Sequence, residues 1–228
     1  MAARRGILGG TFNPVHIGHL AAAETALDQL GLDQVLWVPN QAPPYKSQAD
    51  ILENSHRLEL IRRAIAPHPP FQLSEVELNR PGTSYAVDTW QQLQASDPES
   101  EWYWILGLDS FLSLPHWHRC QELIPQCIWL VAPRPITDVL FSDVHPAPSS
   151  MAEPPRSTTA AVEAEMQRRL QQKRLDGIPL RWQFLDMPQL EISSSLIRRY
   201  CRDRRSIRYL VPDPVWRYLE IHQLYQSS

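Results

Sequence analysis

The segment Gly9-Gly10-Thr11-Phe12-Asn13-Pro14-Val15-His16-Ile17-Gly18-His19 carries the residue types that a phosphate site needs. Glycine lets the backbone approach an anion closely, and the N–H groups at the start of a helix add donors and the positive end of the dipole. His16 and His19 are three residues apart, so on a helical turn they lie on one side. An imidazole donates a hydrogen bond whether neutral or protonated, and a pair can stabilise charge that grows on a transferring phosphoryl group. A glycine turn with two surface histidines would explain either feature alone; their combination favours the phosphate site. The spacing matches neither the G-x-G-x-x-G dinucleotide fingerprint nor the G-x-x-x-x-G-K-[ST] loop.

Other residues could share the work. Ser193 is placed to cap a helix over residues 194–202, which would aim backbone N–H groups, serine hydroxyls and Arg198 at one anion; the bland reading is an ordinary serine-capped basic helix. Gly107 and Asp109 end an apolar segment, where the carboxylate can accept from ribose hydroxyls, orient a magnesium-bound water, or cap the next helix. Trp117, after Pro115 and His116, is either core or a platform for a flat ring. Lys46 follows a proline-rich turn and offers a cation to a second phosphate, or is a solvated loop lysine.

The elements that must position these residues alternate. Residues 5–9 read as a short buried strand and residues 17–30 as a helix. Residues 35–38 form a second strand, and residues 55–66 a helix with Leu58, Ile61 and Ile65 on one face. Residues 71–78 are strand-like, 85–93 helical after a Thr83 or Ser84 cap, and 102–108 and 127–132 are two further strands. Strands alternating with helices predict an α/β fold: a doubly wound, mainly parallel, Rossmann-like sheet with a small C-terminal helical part. Ligands then gather beyond the carboxyl ends of the strands, where each motif falls. Prolines crowd residues 133–155, and 160–175 reads as an amphipathic helix. The expectation is one domain over residues 1–228 with an exposed, variable insertion at 135–180.

Composition narrows the partners. With 22 basic and 25 acidic residues the net charge is -3, which gives no basic face for nucleic acid. No apolar run approaches the roughly 20 residues that span a bilayer, so no membrane partner is expected and the location is read as cytoplasmic. Cys120, Cys127 and Cys201 lack the spacing of a zinc or redox site and read as free, mostly buried thiols. The histidines suggest no transition-metal site. A homo-oligomer is compatible with all of this.

His16-Ile17-Gly18-His19 spells the HIGH signature of nucleotidylyltransferases and of one class of aminoacyl-tRNA synthetases. Further landmarks follow in order: Pro43-Pro44-Tyr45-Lys46, Ser84-Tyr85-Ala86-Val87-Asp88-Thr89, Gly107-Leu108-Asp109-Ser110 with Trp117, and Ile192-Ser193-Ser194-Ser195-Leu196-Ile197-Arg198. With them, and with Tyr209-Leu210-Val211-Pro212 and Leu224-Tyr225 near the end, the sequence resembles the bacterial nicotinate-nucleotide adenylyltransferases along nearly its whole length. The resemblance implies transfer of AMP from ATP to nicotinic acid mononucleotide, with Mg2+ carried by the triphosphate. It implies catalytic roles for His16, His19 and Arg198, and ATP contacts from Gly9, Gly10, Thr11, Phe12, Gly107, Asp109, Arg134, Ile192, Ser193 and Ser194 as well. The mononucleotide would meet Asn13, Lys46, Ser84, Tyr85, Ala86, Asp109, Trp117 and His118. Two departures stand out: Tyr45 replaces the family's usual histidine, whose role is not carried over, and Ser195 replaces a threonine but keeps a hydroxyl. A nicotinamide mononucleotide or phosphopantetheine acceptor, and a non-catalytic nucleotide-binding regulator, are the rival readings.

Overall fold

The computed structural model describes residues 2–41, 51–133 and 159–226. Within them β1 (Arg4–Gly10), β2 (Gln34–Pro39), β3 (Phe71–Leu73), β4 (Glu101–Gly107), β5 (Ile128–Ala132) and β6 (Arg181–Phe184) form one sheet. All neighbours pair in parallel, in the order β3-β2-β1-β4-β5-β6. Parallel strands need crossovers, and the helices supply them: α1 (Ile17–Leu30), α2 (Asn54–Ile65), α3 (Ala86–Ser96), α4 (Leu108–Ser113), α5 (Cys120–Leu123), α6 (Thr159–Gln172), α7 (Ser194–Arg202) and α8 (Asp213–Ile221).

Side chains alternate across each strand, and the two faces build two cores. Leu8, Val35, Trp37, Tyr103, Ile105 and Leu130 pack with α1, α2, α7 and α8. Ile7, Trp102, Trp104, Leu106, Trp129 and Val131 pack with α3, α4, α5 and α6. The fold is the doubly wound α/β sheet that the alternation predicts. Its order reverses between β1 and β4, so a crevice opens beyond Gly10 and Gly107, where ligands of such sheets bind.

Several elements differ from the sequence expectation. The third strand stops at Leu73, not at residue 78, because the chain turns there: Asn79 N–H donates to Glu75 O, and Glu77 is drawn into the interior. Neither Thr83 nor Ser84 caps α3; Tyr85 holds the cap position, and its carbonyl accepts from the N–H groups of Asp88 and Thr89. Asp109 is no cap either, since α4 begins at Leu108 after Gly107 and Asp109 lies in its first turn. The buried stripe of α2 is Arg57, Leu60, Ile61, Ala64 and Ile65, which leaves Leu58 only half-buried. Strand β6 has no counterpart in the sequence reading.

In the stretch expected to be an exposed insertion, α6 packs Val162, Met166 and Leu170 into the second core, so the described part of that stretch covers the sheet. Residues 134–158 lie outside the described residues. Cys120 and Cys127 are buried and Cys201 half-buried, all as free thiols. Among the described residues no helix is long and apolar enough to cross a membrane.

Candidate active site

The first strand ends at Gly10, and six residues later α1 begins with His16 in the cap position. The loop between them folds back on itself. Phe12 adopts a positive φ of 48°, and its ring passes over Gly10 so closely that a Cβ there would sit 3.2 Å from it. The same ring meets Trp37 (5.4 Å between centroids) and presents an edge to His19 (5.1 Å, 68°). An aromatic floor therefore supports the histidines from below.

His16 and His19 stack, with ring centroids 3.7 Å apart and planes at 26°. The His16 N–H donates to His19 Nδ1 at 3.2 Å. That nitrogen is thus an acceptor, and a neutral His19 carries its proton on Nε2. Gly18 explains the third letter of the signature: a Cβ there would lie 3.1 Å from Cε1 and Nδ1 of His16 and push the ring aside. The Ile17 N–H is not available to a phosphate, contrary to the simple helix-terminus expectation, because it donates to Leu210 O at 3.0 Å.

The second helix terminus comes to the same loop. Ser193 caps α7 as expected, its Oγ accepting from Leu196 N–H at 3.1 Å. Ser194 Oγ donates to Pro14 O at 2.8 Å, and Arg198 Nη1 donates to Asn13 O at 2.9 Å. Arg198 also reaches Ser195 Oγ at 3.2 Å, while its Nε, though buried, makes no hydrogen bond. Ile192 O lies 3.8 Å from the position a Gly18 Cβ would take. The His16 helix and the Ser193 helix therefore start side by side, with a guanidinium tied to the loop between them.

Of the acceptor candidates, Trp117 lies beside Trp104, whose ring is 3.7 Å from the Gly9 Cβ position and 6.2 Å from the Trp117 ring, while Asn13 sits on the loop with Arg198. Trp117 is half-buried and held by Nε1 donating to Ser113 Oγ at 2.9 Å; it is neither wholly core nor free. Tyr85 and His118 stack at 4.1 Å, and Arg119 reaches Asp88 at 3.4 Å, so the start of α3 and the Trp117 turn form one wall. Asp109 is exposed in the first turn of α4, just beyond β4. Thr11 Oγ1 accepts from Asn40 Nδ2 at 3.4 Å, which binds the ends of β1 and β2 together. Lys46 and Arg134 lie outside the described residues.

Two residues that hold the loop have no role assigned from the sequence: Arg57, which carries no signal there, and Tyr225, which stands only as a C-terminal landmark. Arg57 is fully buried beneath the loop; Nη1 donates to Thr11 O at 2.9 Å, and Nη2 to Asn40 O at 2.7 Å and Asn54 Oδ1 at 2.5 Å. Burial pulls its pKa below the ordinary value, and Tyr225 opposes that shift. Tyr225 itself donates from its hydroxyl to Asn13 Oδ1 at 2.6 Å, and burial holds its pKa well above normal. Nothing in the amphipathic pattern of α2 separates Arg57 from a solvated arginine, whereas Tyr225 lies in the closing segment that the resemblance had marked.

Among the described residues no group of three or more His, Cys, Asp or Glu could hold a metal ion. Paired imidazoles, two helix starts and an arginine meet around one glycine loop at the switch point of a parallel sheet, an arrangement suited to nucleotidyl transfer. Residues 7–200 match the cytidylyltransferase-like family model. The probable nicotinate-nucleotide adenylyltransferase of Trichormus variabilis is 41% identical over 97% of this chain and 97% of its own. That of Geobacillus kaustophilus is 37% identical over 96% of this chain and 85% of its own. A solved Plasmodium falciparum nicotinic acid mononucleotide adenylyltransferase, complexed with NaAD, shares the fold at a TM-score of 0.71 and 15% identity, covering 98% of this chain and 97% of that one. The chain belongs to the nicotinate-nucleotide adenylyltransferase family.

Proposed function

We propose that the protein transfers AMP from ATP to nicotinic acid mononucleotide, giving deamido-NAD and pyrophosphate in NAD biosynthesis. The observation that carries this reading is the convergence of the His16–His19 stack and the Ser193-capped helix with Arg198 on one loop, reached from opposite ends of the chain. A relative solved with NaAD supports the same choice of substrates.

The acceptor phosphate is already an anion, so its oxygen attacks the α-phosphorus in line and pyrophosphate leaves without a general base. The protein's task is to align two polyanions and offset their repulsion. His19 Nε2–H and the His16 ring donate to the phosphoryl oxygens as charge shifts toward pyrophosphate. Arg198, with the Ser194 and Ser195 N–H groups at the start of α7, holds the β- and γ-phosphates, and Lys46 and Arg134 add cations from outside the described residues. Gly9 to Phe12 and Gly107 receive the nucleotide backbone and Asp109 the ribose hydroxyls. Mg2+ carried by the triphosphate would neutralise part of the charge; that the described residues hold no carboxylate cage suits an ion that keeps most of its waters. Trp117 stacks on the pyridine ring, while the backbone around Ser84 to Ala86 and at His118 donates to its carboxylate.

The test is pyrophosphate release by purified protein with ATP, Mg2+ and each pyridine mononucleotide. Turnover with a preference for the nicotinate form of one to several orders of magnitude is expected, from about 1 to 3 kcal/mol for each donor left unpaired by the amide. A ratio near one, or one favouring the amide, moves the assignment to the nicotinamide acceptor, and tight ATP binding without turnover moves it to the regulator.

A further inference from the structure

Beneath the start of α3 lies a buried polar pair that the reaction above does not use. Thr89 is fully buried and Glu77 is 7% exposed. Thr89 Oγ1 donates to Glu77 Oε1 at 2.7 Å, and Arg80 Nη2 donates to Thr89 Oγ1 at 3.0 Å. Ser84 Oγ is buried and turned toward the same carboxylate without closing a hydrogen bond. Burial raises the Glu77 pKa; Thr89, Arg80 and Ser84 act against it.

An acid in this position is costly. A leucine would fill the space without desolvating a charge, and a negative charge behind a pocket for a carboxylate weakens binding of that carboxylate. Arg80, on the same hydroxyl, supplies part of the compensation. What the acid adds is direction: its carboxyl oxygen accepts from the buried Thr89 hydroxyl at 2.7 Å and so fixes where Thr89 sits. Thr89 is the fourth residue of α3, and its N–H, like that of Asp88, donates to Tyr85 O. Its placement therefore sets the first turn, where helical geometry leaves the N–H groups of Ala86 and Val87 without carbonyl partners. The outer side of this turn is already held by the Tyr85–His118 stack and the Asp88–Arg119 contact. Glu77 holds the inner side.

We propose that Glu77, acting through Thr89, is a positioning residue for acceptor discrimination: it fixes the start of α3 so that its backbone donors meet the ring carboxylate of the acceptor. The inference rests on the nicotinate reading above. It assigns to a buried acid, not among the residues given to the phosphates, the choice between acid and amide.

The test is steady-state kinetics of the whole protein with ATP and each mononucleotide. Thr89→Val, nearly isosteric but without the hydroxyl, is expected to raise KM for the nicotinate form about tenfold, with kcat, the KM for ATP and the KM for the nicotinamide form within about twofold. Thr89→Ser keeps the hydroxyl and is expected within about twofold of wild type, whereas Glu77→Gln raises the nicotinate KM about threefold. An unchanged nicotinate KM in both Thr89→Val and Glu77→Gln overturns the proposal. So does an equal rise in the KM for ATP, which would mean general loosening. If Thr89→Val does not fold, Glu77→Gln and Thr89→Ser decide by the same criteria. Failure of the substrate reading is distinguishable, because the wild-type enzyme would then show no preference for the nicotinate form before any variant is made.

Discussion

At Gly18 two requirements meet that pull a substitution in opposite directions. Alanine is the better helix former by up to about 1 kcal/mol, so Gly18→Ala gains intrinsic helix stability. Its Cβ, however, would stand 3.1 Å from the His16 ring, which must give way and carry the stacked His19 with it. The expected result is a melting temperature close to wild type with kcat lowered by about tenfold or more, since donors must match the transition state closely. An unchanged kcat would mean that the histidine stack does not set the phosphoryl geometry. His16→Ala and His19→Ala remove the donors outright and should each lower kcat by roughly a hundredfold, in variants whose circular dichroism matches wild type. The sequence supplied the two histidines and their spacing. The reason for the glycine between them was not readable, because it depends on where the His16 ring comes to rest.

Helix starts show why local rules succeed at one place and fail at another. The serine-before-helix rule locates α7, where Ser193 Oγ accepts the Leu196 N–H as a cap should. The same rule points to Ser84 before α3 and fails, because that hydroxyl faces the buried Glu77 rather than a free N–H. Strand β6 was missed for a different reason: at the edge of the sheet Arg181-Trp182-Gln183-Phe184 keeps one side half-exposed and shows no continuous apolar run. In α6 the periodicity was legible but the charge pattern was not. Glu165 accepts from Arg168 and from Arg169, each at 2.6 Å, and Arg169 also reaches Leu112 O of α4 at 3.2 Å. These hydrogen bonds lower the Glu165 pKa to about 2. A folded-state pKa below the unfolded value contributes stability that is fully present above about pH 4.5 and lost as pH falls toward 2. Glu165→Gln should therefore cost on the order of 1 kcal/mol near neutral pH, the partly exposed arginines limiting the value. In urea titrations the gap between wild type and variant should close between pH 5 and pH 2 to 3. A gap constant over that range would remove the ion pairs from the account.

On the scale of the whole molecule, the two ends of the chain are joined at the reacting loop. Asn13 is the node: its backbone carbonyl receives Arg198, and its Oδ1 receives both the Leu52 N–H at 3.2 Å and the Tyr225 hydroxyl at 2.6 Å. Pro14 receives Ser194, and Ile17 donates to Leu210, so four residues from three parts of the C-terminal segment, α7, the turn at Leu210 and Tyr225, clamp residues 13–17. Such a clamp should couple the packing of the C-terminal helices to catalysis, and two tyrosines on that side separate coupling from stability. Tyr225→Phe keeps the ring and removes one hydrogen bond to the loop. Tyr218→Phe likewise keeps its ring and removes the 2.9 Å contact with His56 Nδ1, which joins α8 to α2 away from the loop. Each should lower stability by about 1 kcal/mol, or roughly 2 to 4 °C in melting temperature for a chain of this size. Only Tyr225→Phe should also lower kcat, by about fivefold, because the side chain of Asn13 then loses the 2.6 Å tether from the terminal segment and the loop carrying His16 loosens. Equal kcat losses in the two variants would show that activity follows global stability. No loss in either would show that Arg198, Ser194 and Leu210 hold the loop without the terminal tyrosine.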